Sequence, residues 1–183
     1  MPNNIRQQPI YMRSGDPETE NEATLQYPGQ LGMRVTVAQP SRTAPGNESG
    51  RPKTYQLVKT DSTMTVTPFP GAVAFWADRA NYLVTTAATN QQEGAGVFQN
   101  AITAGNYGFI QVQGPATVKF VDADVAALAA GDAAIPSSTA GKAGRVAKGT
   151  APTYSPLGFV AVNLAKDVLN ATAIVDLDVR ETV

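Results

Sequence analysis

Tyr107-Gly-Phe-Ile-Gln-Val-Gln-Gly114 is the stretch on which the fold turns. Its side chains alternate, with Tyr107, Phe109, Gln111 and Gln113 on one face and Ile110 and Val112 on the other. A period of two marks a strand, and aromatic and β-branched residues favour that state. Gly114-Pro115 predicts a turn, and Ala116–Val121 a partner strand returning beside the first. Similar short runs recur on either side. Tyr55–Lys59, Ala72–Trp76 and Asn81–Thr86 precede it, and Ala133–Ile135, Leu157–Val162 and Thr172–Val179 follow. With 16 Gly and 13 Pro between and within these runs, extended segments and turns dominate. The expectation is a mainly β fold, a small barrel or sandwich. One short Ala-rich helix is expected over Asp122–Ala130, capped by Asp122 or Asp124 and stopped by Gly131.

Composition shifts near residue 55. Residues 1–54 contain Pro2, Pro9, Pro17, Pro28, Pro40, Pro45 and Pro52, and their only aromatics are Tyr11 and Tyr27. Prolines at this spacing hold the chain extended and forbid a long helix or a central strand. The division expected is an extended Pro-rich N-terminal arm over 1–54 and a β-rich domain over 55–183. The arm also carries spaced apolar beads: Ile5, Ile10, Tyr11, Leu25, Tyr27, Leu31 and Met33. Met33–Val37 alternates well enough for a short strand. Such an arm lies on a surface, either that of its own domain or that of a neighbouring chain.

The zero counts exclude whole classes of chemistry. The 183 residues include no histidine and no cysteine, which removes imidazole bases, thiolate nucleophiles, zinc ribbons, iron–sulfur clusters and disulfides. A formal net charge of −1 argues against a nucleic-acid binder driven by phosphate contacts. No run of 18 apolar residues offers a membrane span, and the first residues lack the apolar core of a signal peptide.

Two carboxylates can hydrolyse a glycoside without histidine, which makes the acidic residues the first candidates for chemistry. Asp122 and Asp124 are explained by the helix start, and Asp176 and Asp178 by the solvent face of a strand that alternates with Val175, Leu177 and Val179. Gly141-Lys142 is no phosphate loop, because Pro136 stands where the upstream glycine belongs and Ala143 where Ser or Thr does. Lys142, Arg145 and Lys148 read as a solvated loop. Trp76 and Phe75 read as core, with an aromatic sugar platform or a subunit anchor as the alternatives. Gln91, Gln92, Gln99, Gln111 and Gln113 suit either a glycan or a half-solvated sheet. No active site, metal site or cofactor is expected, and the residues favour a structural or binding protein over an enzyme.

Gly96–Ala116 resembles a segment that recurs in tailed-phage head proteins, read as Gly-Val, a spacer, then Gly-x-Tyr-Gly-aromatic-x-Gln-x-x-Gly. Ala130-Gly-Asp-Ala-Ala-Ile135, Gly141-Lys-Ala143 and Leu157-Gly-Phe-Val-Ala-Val162 resemble the later part of phage capsid decoration (cement) proteins. The resemblance covers about residues 94–165. It implies a β-barrel or β-tulip domain on the outer surface of an icosahedral head, assembled as a homotrimer and clamping neighbouring major capsid proteins, with no role for nucleic acid or membrane. The Pro-rich arm departs from the compact members of that family and suggests a lasso over neighbouring subunits. On this reading Ile5, Ile10, Tyr11, Leu25, Tyr27, Leu31 and Met33 contact the capsid, and Trp76, Tyr107 and Phe109 are candidates for the oligomer interface. Another virion component, such as a head-fibre base, a tail or baseplate adaptor or a minor capsid protein, and a carbohydrate-binding module are the alternatives.

Overall fold

A computed structural model of the chain describes residues 17, 21–24, 30–37, 52–87, 93–160 and 166–179. The fold is mainly β, as the alternation patterns require, and contains a closed five-stranded barrel and one short helix. The strands are β1 (Arg34–Val37), β2 (Lys53–Thr60), β3 (Val73–Asp78), β4 (Leu83–Thr85), β5 (Gly94–Phe98), β6 (Tyr107–Lys119), β7 (Ala133–Pro136), β8 (Ala143–Val146), β9 (Gly158–Val160), β10 (Lys166–Asp167) and β11 (Thr172–Asp178), and the helix is α1 (Asp122–Val125). Hydrogen-bonded neighbours run β2-β4-β3-β5-β6, and β6 pairs back onto β2 to close the ring. Only β2 and β4 run parallel within it.

A second set of strands hangs from the far half of β6, in the order β6-β11-β9-β7-β8. A bridge between Phe120, just past β6, and Ala143 of β8 brings this path back toward its origin. Each enclosure has its own apolar filling. Val58, Ala74, Trp76, Val84, Phe98, Ile110 and Val112 pack together inside the barrel. The alternate residues Val73, Phe75 and Val97 point the other way and pack with Val118, Phe120, Leu157, Val175 and Leu177. Strand periodicity thus lets one wall serve two cores.

The decisive stretch behaves as expected up to Gln113 and differs after it. Gly114-Pro115 makes no turn. β6 runs through it as one strand of 13 residues. Its first half pairs with β2, from Lys59↔Tyr107 to Thr54↔Gln113, and its second half with β11, from Asp178↔Gln113 to Thr172↔Lys119. The glycine–proline pair is instead the point where one strand changes partners. Gly114 adopts φ +87°, and the Pro52 carbonyl oxygen presses against the space a Cβ would fill. Pro115 donates no backbone N–H, and the wholly buried Gln111 side chain braces the corner, donating Nε2–H to the carbonyls of Pro115 at 2.9 Å and Gln113 at 3.1 Å. Gln111 is therefore a corner brace, neither a glycan contact nor a half-solvated position.

The helix is also shorter than its alanines suggest. After Val125 the bonds tighten to the third residue back, with Ala127 N–H to the Asp124 carbonyl at 3.1 Å and Leu128 N–H to that of Val125 at 3.3 Å. Leu128 is buried, and the Ala129 N–H is taken by Asp132. Tertiary contacts override propensity in so short a segment. Neither aspartate caps it: Val121 is the N-cap residue and no side chain bonds there.

The expected boundary between residues 54 and 55 falls inside β2. Within the arm, β1 pairs antiparallel with β2, and Val35 and Val37 pack on Tyr55, Leu57 and Phe109. Part of the arm thus belongs to its own domain.

Candidate functional site

Ile5, Ile10, Tyr11, Leu25 and Tyr27 lie outside the described residues. Leu31 and Met33 are half-buried on the chain's own barrel, where the Met33 carbonyl accepts the Leu57 N–H at 2.9 Å. Trp76 and Phe109 are buried within this chain, Trp76 in the barrel interior and Phe109 beneath β1. Trp76 meets Tyr82 edge-on with ring centroids 6.2 Å apart, and the Arg79 guanidinium lies 5.8 Å from its centroid. Tyr107 is half-buried, with Lys59 Nζ 5.3 Å from its ring centroid. None of these three rings forms an open platform beside a pair of carboxylates. Gln91 and Gln92 lie outside the described residues; Gln99 is half-buried and donates to the Thr117 carbonyl at 3.4 Å, and Gln113 is exposed and accepts from Thr54 Oγ1 at 3.4 Å.

A second anchor precedes β1. Asn21 Oδ1 accepts the Thr103 N–H at 3.1 Å and the Asn106 Nδ2–H at 2.9 Å, while Asn21 Nδ2 donates to Thr103 Oγ1 at 3.2 Å. Glu22 and Tyr107 exchange backbone bonds of 2.9 and 2.8 Å. The three side-chain bonds are exposed, so each contributes about 1 kcal/mol or less. Asn21→Ala is expected to raise proteolytic cleavage near residues 21–24 several-fold while leaving the global melting temperature within a few degrees, since opening here is local. Limited proteolysis beside a thermal melt checks this.

The acidic residues hold loops. Asp122 accepts from Lys142 Nζ at 2.9 Å, and that bond and charge hold its carboxyl below the usual carboxylate range. Asp124 Oδ2 accepts the Arg145 backbone N–H at 3.2 Å. The two aspartates thus fasten β8 to the start of α1. Asp132 is the carboxylate that sequence reasoning passed over. Although buried, it accepts the Ala129 N–H at 2.8 Å, Arg145 Nε–H at 2.6 Å and the Lys148 N–H at 2.9 Å. Burial pushes its carboxyl up, but the Arg145 bond and the two backbone donors outweigh that and leave it lowered. The basic cluster Lys142, Arg145 and Lys148 is thus two ion-pair partners and one backbone donor. No grouping of three or more metal-ligating side chains occurs among the described residues.

The surface feature that stands out is Phe159, which remains 53 % exposed although β9 is paired on both edges, with β11 and β7. It forms the ridge between two grooves. One, of about 460 Å³, is lined by Thr36, Pro52, Thr54, Leu177 and both Asp176 and Asp178. The other, of about 330 Å³, is lined by Pro156, Leu157, Asp178 and Val179. Asp176 and Asp178 are thus at the solvent side of β11, as their alternation predicts. Phe159 was hidden in the sequence by the uniformly apolar run Leu157–Val162. The one available signal was that a two-period strand must turn one of those residues outward.

No protein-family model, curated protein or solved structure matches the chain. No helix among the described residues is long and apolar enough to cross a membrane.

Proposed function

We propose that this protein is a non-enzymatic structural protein of a phage virion, a capsid decoration protein that binds the outer surface of an icosahedral head, self-associates as a homotrimer and clamps neighbouring major capsid proteins. The observation that carries the reading is spatial. The segments that resemble decoration proteins are scattered over 94–165, yet they build adjoining parts of the fold: β5 and β6 share the barrel, and β7, β8 and β9 form the strand set joined to β6 through β11. The architecture suits the task. Two packed apolar cores with long-range strand pairing make a stiff body, and stiffness is what a clamp on a pressurised shell requires. The reading leaves the carbohydrate alternative less support, because Trp76 is buried and Lys59 overlies Tyr107.

The test is co-sedimentation of the full chain with undecorated heads, with copies per particle counted at saturation. Saturable binding at high copy number is expected. Binding at the few copies of an adaptor would favour another virion component, and no binding would end the reading. The part played by the arm must be tested by removing residues 1–16 and not 1–54. The longer deletion takes away β1 and the start of β2 and uncovers Tyr55, Leu57 and Phe109. The shorter deletion is expected to keep the melting temperature and lower head affinity at least tenfold. Unchanged affinity would mean that residues 1–16, with Ile5, Ile10 and Tyr11, play no part in attachment.

A further inference from the structure

The described part of the arm holds to the barrel mainly by shallow contacts. β1 is four residues long and stands at the end of the sheet order, and the three Asn21 bonds are exposed. Segments held in this way open at lower free energy than the ladders of the barrel beneath them. One contact of the arm goes deeper. Gly32 lies against the face of the Tyr82 ring, so closely that a Cβ on it would overlap Cζ and both Cε atoms. Backbone bonds fix both sides of this approach. The Gly32 N–H donates to the Leu57 carbonyl at 2.8 Å, and the Lys59 N–H donates to the Tyr82 carbonyl at 3.0 Å.

Tyr82 carries that contact inward. It closes the turn between β3 and β4 at φ +49°, with its N–H donated to the Arg79 carbonyl at 3.2 Å. An aromatic residue rarely adopts this left-handed conformation. The ring packs on the barrel core and meets Trp76 edge-on. The Arg79 guanidinium lies over Trp76 and pairs with Glu93 at 3.5 Å. Gly32, Tyr82, Trp76 and Arg79 thus form one unbroken line of contacts from the arm to the barrel interior. Van der Waals contacts weaken steeply with distance, so a shift at one member is felt by the next.

We infer that Tyr82 is a latch that couples the seating of the arm to the packing of Trp76. With the arm seated, Gly32 holds the ring against Trp76. With β1 lifted, the ring loses its cover, and the indole beside it gains water and freedom. Such coupling is reciprocal, so a loosened Tyr82 also weakens the hold on the arm. Any surface that captures the arm from outside must therefore release Tyr82. The latch acts whatever that surface is, so it stands or falls apart from the capsid reading.

Trp76 is the only tryptophan in the chain, so its emission reports this site alone. The test compares that emission with amide hydrogen exchange in the full chain, with circular dichroism as the check on folding. Val35→Asp puts a carboxylate against Tyr55, Leu57 and Phe109 and lifts β1 from a cluster to which Tyr82 does not belong. It is expected to shift Trp76 emission to the red and to speed exchange of the Leu57 N–H, bonded to the Met33 carbonyl. Tyr82→Gly suits the backbone at that position and removes the latch. It is expected to speed the same Leu57 exchange about tenfold, the scale of an ordinary coupling between sites, while Ile110 in the barrel ladder keeps its rate. In the double variant, Val35→Asp is expected to add no further shift of Trp76 emission. If Val35→Asp frees the Leu57 N–H while Trp76 emits as in wild type, the arm and Trp76 are uncoupled and the latch is wrong. Where Val35→Asp fails to fold, Tyr82→Gly decides alone, and an unchanged Leu57 exchange rate overturns the latch.

Discussion

Gly114→Ala is expected to destabilise the protein by roughly 3–5 kcal/mol, a large share of the 5–15 kcal/mol typical of a folded domain. Two causes add. At φ +87° any L side chain is strained, which costs about 1–3 kcal/mol. The new methyl would also overlap the Pro52 carbonyl, which is backbone and cannot swing aside, and forced overpacking costs about 1–3 kcal/mol more. Gly149 separates the two causes. It has φ +88°, and a Cβ there meets nothing within 4 Å. Gly149→Ala should therefore show the backbone strain alone. Urea denaturation of both variants measures the difference. If they are equally stable, the approach of β2 to β6 at Pro52 is not what fixes the corner, and the partner switch of β6 must be held by Gln111 and the two ladders instead.

That corner shows why the sequence was legible only in part. Alternation in Tyr107–Gln113 correctly separated two faces: Phe109 packs with Tyr55 and Leu57, while Ile110 and Val112 face the barrel interior. Alternation is a local property and survives any topology. Whether Gly114-Pro115 turns the chain or bends one long strand depends on what lies beside it, and that neighbour, Pro52, is remote in sequence. The same limit applies to the helix. Nine residues of good propensity suggested Asp122–Ala130, yet Asp132 and the buried Leu128 draw the chain out of the helix after Val125. The Pro-rich composition of 1–54 was real, but composition does not reveal that Arg34–Val37 finds a partner in β2. Of the candidate site, the solvent face of Asp176 and Asp178 was readable from its period. Phe159 and Asp132 were not, since exposure of the one and burial of the other are set by strands and loops that meet only in the folded chain.

Asp132→Ala is expected to cost about 3 kcal/mol, through the donors it leaves behind. Removing one member of a buried ion pair costs about 3–5 kcal/mol, and the lower end applies because the Arg145 side chain is 26 % exposed and keeps some access to water. The N–H groups of Ala129 and Lys148 lose their acceptor as well. Asp132→Asn should recover only part of the loss, since its amide retains a single acceptor oxygen for three donors. Arg145→Met alone, and combined with Asp132→Ala, closes a double-mutant cycle that isolates the pair from the backbone contacts. Acid supplies an independent readout. The folded-state carboxyl is lowered, so its contribution to stability is complete above the unfolded value of about 3.9 and is lost as pH falls through the folded value. Wild type should therefore lose stability toward low pH more steeply than Asp132→Asn. Urea midpoints from neutral pH down to below about pH 3 test this. Parallel curves for the two proteins would mean that Asp132 is protonated alike in both folded and unfolded chains, and that the three-donor clamp contributes nothing through its charge.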